Sequence, residues 1–182
     1  MSKTLIEKER LFKKLTPENW RQRDSVSEHI VRVEIDHISK ISEDDWADII
    51  LKTELSDSVP EDIRDLFEVA QGAMCYGCFF YPLFTLGSQQ LYRVLEAALI
   101  HKCAIMNAPK SIKTFAKMVS WLQVEGIISE KRFMQWDAGR HLRNSSSHAF
   151  SQNLYDQTMA VTELLIAEGL IEELFSSNSA PT

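Results

Sequence analysis

After residue 58, apolar residues recur three and four positions apart through most of the chain, the spacing that turns one face of an α-helix toward a core. Val59-Pro60-Glu61-Asp62 opens this body, with proline and acids where a helix begins. Residues 69–92 carry no charge. Gln71, Pro82, Ser88, Gln89, Gln90 and three glycines interrupt that run, so it predicts a buried central helix, broken or kinked near Pro82 and Gly87, rather than a membrane span. LYRVLEAALIHKCAIM, residues 91–106, is amphipathic, with Leu91, Leu95, Ala98 and Leu99 as its stripe, and Asn107-Ala108-Pro109 ends it. Ser111 is the expected cap of a helix with Phe115, Met118, Val119 and Leu122 on one face and Gly126 at its end. Ser129 caps another, running through Phe133 and Trp136 toward Arg143. A last helix spans roughly residues 154–175, with Met159, Leu164, Leu165 and Leu170 expected toward the core.

The first 57 residues are charged and weakly patterned. Thr16-Pro17-Glu18 reads as a helix start. In IVRVEIDHI, residues 30–38, Val31, Val33 and Ile35 alternate with charges as in a strand, but no strand partner of similar quality stands nearby, so a helix stays open. Ser42-Glu43-Asp44-Asp45 opens a helix through Trp46, Ile49 and Ile50. These elements predict an all-α bundle of four to five core helices: an extension over residues 1–57, a helical domain over 58–176, and a loose tail over 177–182.

At 182 residues, 45% apolar, the chain can bury a core without disulfide or metal support. Three cysteines, an odd number, and a charged opening, MSKTLIEKERLFKK, lead us to expect a cytoplasmic protein with no membrane segment and no cofactor. The net charge of −6 argues against unspecific coating of nucleic acid. The charge is uneven: 12 Lys+Arg against 18 Asp+Glu in residues 1–98, 8 against 3 in 99–148, none against 5 in 149–182. A basic block between acidic ones hints at an anionic ligand, or only at ordinary variation of helix surfaces.

Cys75-Tyr76-Gly77-Cys78 is a CxxC with no strand before it, and His101 and Cys103 stand at no familiar metal spacing from it, so buried thiols are expected. His29 and His37 have no ligand pattern around them, and Ser147-His148 are adjacent in sequence, which does not make a nucleophile and base. The stretch RHLRNSSSHAF, residues 140–150, is different. On a helix continued to Ser147, residues Phe133, Trp136, Arg140, Arg143 and Ser147 fall on one stripe with Asn144 beside it. Two of them are aromatics that seek burial, so the arginines need a carboxylate or an anionic ligand. Glu96, in the middle of LYRVLEAAL and the one acid in a long stretch of core helix, is the expected carboxylate; a guanidinium it holds keeps donors for phosphate oxygens. Arg143 and His148 would stand about 140° apart on a straight helix, but a helix ending in the serine run frees His148 to turn toward the arginines. A polar helix end with a capping histidine fits the same spacing.

Arg143-Asn144-Ser145-Ser146-Ser147-His148 resembles the R-x4-H signature of the HEPN superfamily: arginine, a polar residue, then histidine. FAKMVSWLQVEGIISEKRFMQWDAGRHLRN is similar to the family's helix, glycine turn and tryptophan-bearing helix, and YRVLEAAL, with Arg93 and Glu96, to its earlier glutamate helix. The resemblance covers roughly residues 61–175. It implies a HEPN-like bundle that dimerises with two motifs facing one cleft. It also implies a metal-independent endoribonuclease of toxin–antitoxin, phage-defence or stress systems, with RNA as ligand and an antitoxin-like protein as partner. On this implication Arg143 binds the scissile phosphate, His148 handles the proton and Asn144 orients them, supported by Glu96, Arg140 and Ser147. Some family toxins carry x-Tyr after the histidine, where this chain has Ala149-Phe150. Other members are non-catalytic RNA-binding, nucleotide-binding or dimerisation modules, the alternative implied here.

Overall fold

The computed structural model describes residues 12–29, 31–34, 37–146 and 154–176, with the backbone alone for 28–39 and 140–146 within those spans. Among the described residues the order is a short 3-10 turn Ser25–His29, strands β1 Val31–Glu34 and β2 His37–Lys40, then helices α1 Glu43–Leu51, α2 Glu61–Tyr76, α3 Pro82–Ile105, α4 Phe115–Val124, α5 Glu130–Ser146 and α6 Gln157–Phe175. The fold is therefore helical, with one hairpin. The extended reading of residues 31–34 holds, and the expected lack of a strand partner does not. The partner lies within and just after the same stretch, in antiparallel register from Val31↔Lys40 to Glu34↔His37.

α2 and α3 form the centre. The uncharged run is two helices, broken at residues 77–81, and Pro82 sits in the first turn of α3, where its missing N–H costs nothing. α3 then continues through Gly87. Glycine serves close packing there: a Cβ would stand 2.6 Å from Met74 Cγ and 3.1 Å from the Ala70 carbonyl oxygen. Phe67, Met74, Phe84, Leu91, Leu95 and Leu99 are buried between the two helices and their neighbours. Trp46 of α1 enters the same core, donating from Nε1 to the Met74 carbonyl at 3.0 Å and meeting the Phe84 ring edge-on at 5.4 Å.

Upstream, Asp24 is buried, and its Oδ2 accepts from the Tyr81 N–H at 3.3 Å, tying the first described residues to the α2–α3 break. Residues 17–20 make a turn instead of the helix expected at Pro17. Asn19 diverts the chain, its Oδ1 accepting from the Thr16 N–H and its Nδ2 donating to the Lys14 carbonyl, both at 2.8 Å.

Two further expectations change. α4 is capped by Thr114, whose side chain accepts from the Lys117 N–H, and Ser111 lies in the preceding turn. In α6, Met159 and Leu165 are 44% and 52% exposed, while Ala160, Leu164, Ala167, Leu170, Ile171 and Leu174 face the core. The helix begins after Asp156, which caps it; Leu164 and Leu170 face the core as expected, while Met159 and Leu165 fall on the outer face.

Candidate functional site

α6 runs beside α3 in the same direction. The Tyr155 N–H donates to Thr85 Oγ1 at 3.0 Å at one end, and His101 meets the Phe175 ring edge-on at 6.1 Å at the other. α5 runs the opposite way. Ser129 caps it, accepting from the Arg132 N–H at 3.3 Å, and Arg132 Nε donates to Glu173 Oε2 at 2.6 Å, pinning the start of α5 to the end of α6. Further along, Trp136 is buried 6.1 Å from the Phe115 ring, and Phe133 is half-buried beside the core. A Cβ at Gly139 would stand 3.5 Å from Leu95 Cδ1, so α5 crosses close over α3 before its basic end.

Arg140, Arg143 and Asn144 lie on α5, which is described as far as Ser146. Their side chains, and all of Ser147 and His148, lie outside the described residues, as does any pairing of the arginines with Glu96. Glu96 is half-buried on α3, next to the Leu95 that meets Gly139.

A second acid, passed over in the sequence, faces the same three helices. Glu163 on α6 accepts from the Tyr92 hydroxyl at 2.9 Å and lines a cavity of about 110 Å³ between α3, α5 and α6, with Leu91, Leu95, Gln135 and Gly139 around it. Burial raises its carboxyl above the ordinary carboxylate range, although Ser88 and Tyr92 favour the charged form. Ser88 Oγ stands close enough to act on the carboxylate, yet neither it nor Glu163 Oε2 completes a hydrogen bond among the described residues. Burial raises the Tyr92 hydroxyl most, followed by its hydrogen bond with Tyr155 and the charge of Glu163. The signal was present in the sequence. Ala160, Glu163, Ala167 and Leu170 share one stripe of α6, and Glu163 is the acid in it, the argument that selected Glu96.

The cysteines of the CxxC are free thiols. Cys75 is half-buried, Cys78 and Cys103 are buried, and all three are free. Cys78 Sγ–H donates to the Cys75 carbonyl at 3.3 Å, and burial pushes its thiol up to about 11, so it stays protonated. Among the described residues no three His, Cys, Asp or Glu side chains gather as metal ligands, and no helix is long and apolar enough to cross a membrane. Comparison with known proteins finds no matching family model, no matching curated protein and no matching solved structure.

Proposed function

We propose that this chain is a homodimeric, metal-independent endoribonuclease of HEPN type, working in the cytoplasm in toxin–antitoxin, phage-defence or stress response. The observation that carries the reading is the end of α5. Arg140, Arg143 and Asn144 belong to one continuous helix, described as far as Ser146 and anchored by buried Trp136. In this reading the serine run ends the helix and frees His148 to turn toward the phosphate-binding arginine. In the proposed step, His148 takes the proton of the RNA 2′-hydroxyl as the 2′-oxygen bonds to phosphorus. Arg143 holds the phosphate oxygens, and the 5′-oxygen leaves taking a proton from water, giving a 2′,3′-cyclic phosphate end.

The test is cleavage of single-stranded RNA in EDTA by purified dimer, with end-group analysis. Cyclic phosphate ends, abolished by His148→Ala with little change in melting temperature, support the reading. Intact RNA at high protein concentration rejects it.

Ala149-Phe150 in place of x-Tyr after the histidine favours a second reading, a non-catalytic HEPN-like RNA- or nucleotide-binding or dimerisation module. It requires binding or dimerisation without cleavage.

A further inference from the structure

The basic block of the sequence has a second part, away from Arg140 and Arg143. Residues 97–124 hold four lysines and no Asp or Glu, while the rest of the chain holds 16 Lys+Arg against 26 Asp+Glu, a balance of −10. Those residues form the end of α3, the α3–α4 connection and α4. Lys102 is half-buried, its Nζ 5.7 Å from the Phe175 ring centroid, so it belongs to the bundle. Lys110, Lys113 and Lys117 are exposed, and among the described residues no ion pair uses them.

The backbone explains their grouping. Asn107 adopts φ 55°, and the Ala108 N–H returns to the Cys103 carbonyl at 2.9 Å, closing α3 with a left-handed residue. The chain therefore turns sharply, and Lys110 and Lys113 pass over the end of the helix before Thr114 starts α4. Two grooves flank Ile112. One, of about 560 Å³, has Ile100, Ala104 and Met118 as apolar walls and Lys110 and Lys113 on its lining. The other, of about 440 Å³, has Ile112, Trp121 and Val124 with Lys117, and Val124 is 83% exposed. Neither lining contains an acid.

We infer that the α3–α4 corner is a binding surface for single-stranded RNA, with Lys110, Lys113 and Lys117 meeting phosphates and the apolar groove walls, Trp121 above all, taking base faces. Unpaired bases supply flat apolar faces beside a regular row of anions, the combination that aromatic-bearing basic grooves bind without sequence choice. The inference rests on the ribonuclease reading for its choice of RNA, and it gives that reading a place where a strand can approach a chain of net charge −6. It is not the R-x4-H site. α5 runs antiparallel to α3, so its basic end points away from the corner, and Leu95 to Asn107 alone spans about 18 Å of helix. A strand reaching both must be several nucleotides long.

The test uses full-length protein and a 2′-O-methyl RNA of about 16 nucleotides, which cannot form the cyclic phosphate and so reports binding alone. Anisotropy titrations at several salt concentrations compare wild type with the triple variant Lys110→Gln, Lys113→Gln, Lys117→Gln, whose exposed sites leave the melting temperature in place. The variant is expected to bind about tenfold or more weakly, and the slope of log K against log salt to flatten by about 2, since each phosphate counts about 0.7 on a single strand. Trp121→Ala is expected to weaken binding with no change in slope. Cleavage of a dinucleotide by the triple variant should match wild type, while KM for longer substrates rises. Equal affinity and slope in variant and wild type overturn the inference. So does wild type that binds anionic vesicles or an acidic peptide through these lysines and not the RNA. Lost cleavage with lysine-dependent binding intact would fell the nuclease reading and leave this surface standing.

Discussion

The Tyr92 hydroxyl donates to Glu163 Oε1 at 2.9 Å, linking α3 to α6 beside the cavity that α5 closes. Both groups pay for burial in their titration: the carboxyl and the phenol are each raised, chiefly by loss of water. The pair thus holds the two helices together while keeping an acid near the base of α5, under the helix that carries Arg140 and Arg143.

Removing the donor leaves that acid with fewer partners. Tyr92→Phe should lower unfolding free energy by about 1–3 kcal/mol, the range for a buried acceptor left unsatisfied. Urea denaturation of Tyr92→Phe, Glu163→Gln and the double variant measures it, because partners in one bond give costs that do not add. Fully additive costs would mean the bond contributes nothing to stability.

The direction of the Glu163 shift sets a pH dependence. Its folded carboxyl titrates above the unfolded value of about 4.5, so between the two the folded state holds a proton that the unfolded state has released. Stability from this group is present below the unfolded value and is lost as pH rises through the folded one. Glu163→Gln removes this loss, so its melting temperature relative to wild type should climb as pH goes from about 4 to 8. Other carboxylates cancel in the difference. A relative melting temperature that falls with pH would mean the Ser88 and Tyr92 contacts outweigh burial.

Why Glu96 stood out in the sequence and Glu163 did not is a matter of neighbours. Glu96 interrupts a long apolar run, whereas Glu163 precedes Glu168, Glu172 and Glu173, and reads as one more surface acid. Its place on the stripe of Ala160, Ala167 and Leu170 separates it from them, and the packing of that stripe on α3 buries it. The helices after residue 60 were legible because their periodicity is long and regular, and their ends shift by a few residues where two caps compete, as Ser111 and Thr114 do. The hairpin was half legible: alternation marks residues 31–34, but its partner lies in the same short stretch, where pairing depends on a turn rather than on pattern. Arg143, Asn144 and His148 were legible as a motif because their spacing is local. A reacting cleft depends on groups far apart in sequence, or on another copy of the chain, which no local pattern encodes.

Gly87 and Gly72 both sit inside helices and should answer alanine in opposite ways. At Gly87 a Cβ meets Met74 Cγ at 2.6 Å and the Ala70 carbonyl oxygen at 3.1 Å, so the α2–α3 contact must open. Gly87→Ala should cost about 1–3 kcal/mol, as overpacking does. At Gly72 nothing lies within 4 Å, and alanine only restricts the unfolded chain, so Gly72→Ala should stabilise by about 0.5–1 kcal/mol. Denaturation midpoints at unchanged slope report both. Gly87→Ala as stable as wild type would show that Met74 moves aside without cost.

The proposed chemistry distinguishes Arg143 from Arg140 and from lysine. Both arginines lie on α5, but Arg143 begins the R-x4-H spacing and Arg140 is one turn earlier. A guanidinium grips two phosphate oxygens in a fixed plane, which a lysine ammonium cannot reproduce. Arg143→Lys should therefore lower kcat for RNA cleavage by about 10²–10³, the loss that follows removal of one donor to a developing anion. Arg140→Ala should act mainly on KM. If His148 is the base, the rate in wild type should rise with pH to a plateau. Arg143→Lys should keep the shape of that profile, because a cation remains at position 143. Measuring kcat and KM from about pH 5 to 8 for the three proteins separates these roles. An Arg143→Lys protein that cuts as fast as wild type would place the phosphate elsewhere and remove the reason to assign His148 a proton.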